Sequence, residues 1–321
     1  MIADALNFFF LFPLFWIILY LSRNPRFWKT ATQTFLMVGV IICLLGIIEF
    51  FVPAFRTQTL GLIQTETKGL NSFYGITRAS FSFYGTPAAV VISSLCLPMA
   101  SLIPKFYKGF WGKALAIICV VILGVGIYIS GIRAAWLMIV VTSILLAYFK
   151  IGILGVGLTG GFWYIVSRFL PSEAWSLILT LANPLSTGKI LDTSLQKRVW
   201  RQQYAFRLIQ KYPLGVGWSG SGWVHGDFTQ VTANLGILAG ILFLAWYLHT
   251  LYRGWKYNRK SPKDWLFKAI FTSFILCGIV LAVEGVQVLT QFIMPVWFVW
   301  GLMEAYMQQK KTVNILSTGD K

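Results

Sequence analysis

The sequence predicts an all-α, polytopic integral membrane protein. It reads as one membrane domain over residues 1–321, with about nine transmembrane helices and one long external loop, 168–229, that carries an amphipathic helix. Three observations predict this class. First, 57% of the 321 residues are hydrophobic and only 12% are charged, against roughly 25% charged in a soluble domain. Second, apolar runs long enough to cross a bilayer recur along the chain. Third, basic residues gather in alternate connections between those runs.

In chain order the expected spans are roughly 5–21, 34–53, 86–103, 114–130, 134–149, 151–167, 230–252, 266–283 and 287–306. The first is preceded by no basic segment and followed by no small-residue cleavage site, so it is expected to be a retained helix rather than a removed signal. Trp16, Trp28, Trp111, Trp255 and Trp265 fall near span ends, where amphipathic rings settle at the headgroup level. Cys43, Cys96, Cys119 and Cys277 all lie inside apolar runs without paired spacing. They read as small core residues, neither disulfides nor metal ligands.

Orientation follows from the cations. Arg23, Arg26 and Lys29 follow the first span, and Lys105, Lys108 and Lys113 separate the third and fourth. Lys150 separates the fifth and sixth. Arg253, Lys256, Arg259, Lys260, Lys263 and Lys268 follow the seventh, and Lys310, Lys311 and Lys321 the ninth. These are alternate connections, so they share one side, the cytoplasm, with the N-terminus outside and the C-terminus inside. The net charge of +17 thus belongs to a membrane partner and needs no nucleic acid.

The remaining cations fall in external connections, where the positive-inside tendency disfavours them. Arg133 is the sharpest case, the only charge in the tight turn YISGIRAAWL. It reads either as an interface arginine reaching for headgroups or as a contact for a phosphate at the outer face. In the external loop, Thr193 and Gln196 form a capping-box signature for a helix running to about Tyr212. Leu195, Val199, Phe206 and Ile209 share one stripe of it, with Lys197, Arg201, Arg207 and Lys211 opposite and Arg198 on the border. Such a helix can lie on a membrane with its basic face toward headgroups, a position that also sets Arg198 beside a membrane-embedded substrate.

Next comes Gly215-Val-Gly217-Trp-Ser-Gly220. It matches a dinucleotide fingerprint in form, but no strand precedes it; the glycines are expected to let the backbone turn sharply or approach a neighbour closely. Gly236-Ile-Leu-Ala-Gly240 is a small-xxx-small pattern for close helix packing. Of the two histidines, His249 reads as structural, whereas His225 sits just before an apolar run, beside Asp227 and downstream of the arginines. One His and one Asp make no metal site. Glu49 and Glu284 lie near external helix ends and are candidates because acids at membrane depth are costly.

The stretch from His225 to Gly236, HGDFTQVTANLG, resembles the His-Asn-x-x-Leu…Glu-x-Gly signature of the O-antigen ligase and O-antigen polymerase superfamily. Arg198…Pro213-Leu-Gly-Val-Gly217 is similar to that family's Arg-x-x-x-Trp…Pro-Leu-x-Gly-x-Gly. Ser130-Gly-Ile-Arg133-Ala-Ala-Trp136-Leu resembles its Ser-Arg-Gly-Ala-Trp-Leu, and Arg78…Phe83-Tyr-Gly-Thr-Pro87 resembles its Arg-x-x-Gly-x-Phe…Pro. The resemblance covers about residues 75–305. It departs from the pattern at Gly226, where Asn is usual, and at Asn234, where Glu is usual. Trp200 also lies two residues closer to Arg198 than expected, which lets Arg201 take the role otherwise given to Arg198.

The resemblance implies a GT-C-like, all-helical glycosyltransferase of the bacterial cytoplasmic membrane, active on its external face. It implies a glycan donor carried on undecaprenyl pyrophosphate, and an acceptor that is another lipid-linked glycan or a lipid A core sugar, in the synthesis of lipopolysaccharide O-antigen or exopolysaccharide. Inverting displacement is the stereochemistry it implies. The residues suit that chemistry without a cofactor. Pyrophosphate is a good leaving group, so the chief need is to stabilise departing negative charge, which arginines do with bidentate donors. Arg133, Arg198 and Arg201 form the expected clamp, with Arg78 a further contact. The acceptor hydroxyl must lose a proton, and His225 is the expected general base, with Asp227 or Glu284 as alternatives. A competing class is a transporter or flippase for lipid-linked glycans. It would also use external arginines, but would more naturally show broken helices in two repeated halves.

Overall fold

The computed structural model describes residues 13–52, 86–169, 193–217, 220–222, 224, 226–283 and 290–318. All regular structure among the described residues is helical. Among the described residues, five helices are long and apolar enough to cross a membrane: Pro25–Phe51, Phe110–Ile129, Ala134–Ile151, Ile237–Lys260 and Trp265–Ala282. Two shorter apolar ones are Ala88–Ala100 and Ile153–Val166. The chain is an α-helical, multi-pass membrane protein.

A helical stretch, α1, covers 13–21. The second helix, α2 (Pro25–Phe51), starts earlier than the apolar run because Pro25 stands in its first turn and the Asn24 side chain accepts from the Arg26 N–H at 3.0 Å, a normal helix start. Arg26 and Lys29 therefore sit on helix rather than in a loop. α3 (Thr86–Ala100) is short but buried throughout its described side chains. A single turn, α4 (Ile103–Phe106), leads to α5 (Phe110–Ile129), α6 (Arg133–Ile151) and α7 (Ile153–Phe169). Then come α8 (Thr193–Lys211), α9 (Asp227–Leu235), α10 (Ile237–Lys260), α11 (Trp265–Val283) and α12 (Thr290–Thr318).

α3 and α11 form the centre, and α2, α5, α6 and α12 pack around them. Phe267, Phe271, Phe274 and Trp300 are fully buried there, and the Trp300 and Trp246 ring centroids lie 4.5 Å apart at a 39° tilt. The outer helices keep apolar side chains exposed, among them Ile117, Val121, Leu154, Leu158, Leu238 and Leu242. In water such a surface would be unstable; against hydrocarbon it is the expected finish. Small residues allow close approach: a Cβ on Gly39 would lie 2.6 Å from Cys96 Sγ and one on Gly126 2.5 Å from Cys43 Sγ. All four cysteines are free and buried.

Cross-helix hydrogen bonds fix the register. Lys268 Nζ donates to Phe149 O (2.8 Å), Ser273 Oγ to Leu95 O (2.8 Å), and Cys96 Sγ to Phe35 O (3.1 Å). Lys268 is therefore not a loop residue, as its place in the sequence had implied, but a buried member of α11 (4% exposed). Around it the Lys268 end of the bundle is closed by polar contacts. Asp264 accepts from Tyr306 (2.7 Å) and Tyr257 (3.1 Å) hydroxyls, and Glu304 accepts from Thr250 (2.6 Å) and Arg253 (2.8 Å). Lys105 lies over the Trp265 ring; partial burial lowers its pKa, which nearby Asp264 opposes. Trp28, expected at the interface, is buried and donates to Gln309 Oε1 at 2.9 Å.

The expected span at 230–252 is broken. Gly236, at φ +94°, separates α9 from α10, and α10 runs on to Lys260. A Cβ at Gly236 would meet Leu214 C at 2.8 Å and Pro213 O at 2.9 Å, so only glycine fits. Gly240, the other half of the small-xxx-small pair, abuts Thr232 of α9. The pattern thus serves the corner between two consecutive helices.

Candidate active site

The bundle end opposite Lys268 gathers most of the described candidates. Helices rise about 1.5 Å per residue, and α6 and α11 pack against each other with Phe149 beside Lys268. Arg133 then lies about 24 Å from that contact along α6, and Ala282 about 21 Å from it along α11, so the two share a level. Gly226 is there as well, since a Cβ on it would lie 2.8 Å from Ala282 O. Ala89 of α3 and Ile129 of α5 pack together with Ile47 and Phe50 of α2. That sets Glu49, which is 2% exposed, at the depth of the turn before Arg133.

Above this level α8 packs on α9. Ala205, Val224 and Ala233 form the buried seam, with Ile209 against it. The stripe expected to lie on a membrane is therefore divided: Ile209 faces protein, while Phe206 is 56% exposed. Trp200 and Tyr204, one turn apart, are exposed and stack at 5.8 Å with an 11° interplanar angle. On the inner side, Arg201 and Gln202 are half-buried, and Gln202 Nε2 would stand 3.1 Å from a Cβ on Gly226. This puts the Arg201 turn of α8 directly beside Gly226.

The glycine-rich segment holds α9 in place through its backbone. Val216 N–H donates to Ala233 O (3.0 Å), Gly217 N–H to Asn234 O (2.9 Å), and Ile237 N–H to Pro213 O (2.9 Å). Carbonyls and amides freed by the break at Gly236 are thus satisfied, as a helix end inside a protein requires. The expected sharp turn and close approach are both present: Gly215 and Gly217 have φ of +91° and +88°. Side chains of α9 complete the arrangement. Asn234 Oδ1 accepts from Ser221 N–H (3.0 Å), and Gln230 Nε2 donates to Gly222 O (3.3 Å). Asp227 stands fully buried in the first turn of α9, where the helix dipole favours a carboxylate.

Of the expected site residues, Arg201, Asp227 and Glu49 are fully described. Arg133 opens α6 and Arg198 lies in α8, each described by its backbone alone. His225, Arg78 and Glu284 lie outside the described residues. Arg201 and Asp227 belong to the same packed unit, α8 on α9, and Glu49 and the start of α6 line the bundle end next to it. Gln202 and Gln230 were not expected, and Asn234 stood only as a departure from the family signature. The signal that could have found them is polar side chains on the faces of α8 and α9 that also carry Ala205 and Ala233. Among the described residues, no three His, Cys, Asp or Glu side chains gather to hold a metal ion. The arrangement offers a guanidinium, side-chain amides and buried carboxylates around a broken helix. That is a set able to hold an anionic group and to orient a hydroxyl. The chain matches no family model and no curated protein.

Proposed function

We propose that the chain is a metal-independent, inverting glycosyltransferase of the O-antigen ligase and polymerase type. It would join a glycan from an undecaprenyl-pyrophosphate donor to an acceptor sugar hydroxyl at the external face of a bacterial cytoplasmic membrane. The observation that carries this reading is the meeting of the Arg201 turn of α8, the Gly226–Asp227 start of α9 and the Ala282 end of α11, at the level of Arg133 and Glu49. It is supported by the order of the four sequence motifs, the described parts of two of which, Arg198…Gly217 and Gly226…Gly236, belong to this one folded unit.

In this mechanism Arg133, Arg198 and Arg201 hold the pyrophosphate and stabilise its charge as the anomeric C–O bond breaks, with Arg78 a further contact. The attacking hydroxyl gives its proton to His225. Asp227 and Glu49 offer carboxyl groups suited to orienting sugar hydroxyls or the base.

The experiment is transfer from a lipid-pyrophosphate glycan by the full chain in proteoliposomes. His225→Asn keeps a hydrogen-bonding side chain but no base at neutral pH. It should lower the rate about 10²–10⁴-fold while donor binding persists. Arg133→Ala, Arg198→Ala or Arg201→Ala should each lower it about tenfold or more, with partial rescue by Lys. Chelator should change nothing. An active His225→Asn protein would remove the general base from this scheme. Donor flipping without transfer would favour the transporter instead.

A further inference from the structure

We propose that the groove between α1 and α12, at the Lys268 end, is a binding site for an anionic phospholipid, distinct from the candidate active site at the other end. The groove has a volume of about 620 Å³ and is lined by Trp16, Leu19, Tyr20, Arg23, Ala305, Gln308 and Gln309, among others. Its residues are graded. Trp16, Leu19 and Ala305 form an apolar half, and Arg23, Gln308 and Gln309 a polar half. The grading matches the order of acyl chain and headgroup in a lipid. The polar half lies where α1 turns into α2, and its Gln309 accepts from Trp28 Nε1.

The charge there calls for an anion. Arg23 is exposed and reaches over the Tyr20 ring, 5.6 Å from its centroid, and it forms no ion pair among the described residues. The nearest acid along α12, Glu304, is already held by Arg253 and Thr250, and Asp264 by Tyr257 and Tyr306. Neither offsets Arg23. Gln309 uses its oxygen to accept from Trp28, which leaves its NH₂ as a donor for a phosphate oxygen. A soluble phosphate would use the polar half alone. Trp16 (58% exposed) and Tyr20 (68% exposed) continue the groove along the surface that a bilayer covers, and that commits the occupant to a lipid.

The test is lipid retention by the full chain, moved from nanodiscs of mixed phosphatidylglycerol and phosphatidylcholine into detergent and read by native mass spectrometry. Phosphatidylglycerol should be retained over phosphatidylcholine. Arg23→Gln should lower its retention about tenfold, the size of one lost charge-assisted contact, and Trp16→Ala should lower it too. Arg26→Gln, exposed but outside the groove, should leave it unchanged. Equal loss with Arg26→Gln would mean diffuse surface attraction and overturn the site. Displacement by millimolar inorganic phosphate, or retention unaffected by Trp16→Ala, would leave an anion site and overturn the lipid. Absence of any preference for phosphatidylglycerol would overturn both. Circular dichroism of each variant separates loss of binding from loss of fold.

Discussion

Arg253 and Glu304 show what a single charge does in a chain this poor in charge. Glu304 is buried with a side chain 5% exposed, and its partner Arg253 is 36% exposed. Arg253→Ala would leave a buried carboxylate held only by Thr250. Partial solvent access to Arg253 moderates the loss, so the expected cost is about 1–3 kcal/mol, read as a lower melting temperature in detergent. Arg253→Lys should recover part of it, and an unchanged melting temperature in Arg253→Ala would mean the pair contributes nothing. At this scale the sequence is informative about residue type and uninformative about partners. The four cysteines were readable as core because each is surrounded by apolar neighbours. Lys268 was not, because a lysine beside a helix start looks like a loop cation until Phe149 O is brought to it from a helix far away in the chain.

Among the elements, α9 and α10 departed furthest from expectation. Residues 230–252 have a composition suited to one span, and hydropathy cannot show that Gly236 turns to positive φ. The cause is the 213–217 segment, whose carbonyls press on that position. Gly236→Ala should then cost about 1–3 kcal/mol through backbone strain and release α9 from Val216 and Gly217, with the proposed transfer activity lost before the bundle unfolds. Gly124 provides the control: it is helical, and a Cβ there meets nothing within 4 Å, so Gly124→Ala should leave stability unchanged or slightly raised. Similar behaviour of the two variants in thermal unfolding would contradict the role given to the break. α8 was legible from its capping signature, yet its packed face was not. The seam runs through Ala205, a residue with too little apolar area to stand out beside Phe206.

For the whole molecule, the all-helical membrane class was readable because it rests on summed quantities, apolar content and charge scarcity, that no single contact can reverse. The packing order was not, since α3 and α11, adjacent at the centre, are separated by about half of the chain. The alternation of cations makes a topological prediction. A reporter fused after Lys260 should be cytoplasmic, and one inserted near Ser221 external. Both on the same side would contradict the nine-span orientation. Half of the candidate site was also legible, because the Arg201 turn and the Asp227 turn carry motif residues. Their proximity to Ala282 is a product of folding and leaves no trace in local sequence.

The attachment of 213–217 to α9 and α10 runs almost wholly through peptide groups, so the information stored there is steric and not chemical. Leu214 is 92% exposed, and any side chain that spares the main chain can occupy its place. Gly215, whose Cβ would press on the backbone of Asn234 and Gly236, admits no substitute. A saturation library scored for transfer should therefore be permissive at Leu214 and blank at Gly215 and Gly236. If Leu214 proved as intolerant as the glycines, its side chain would have a contact beyond this chain.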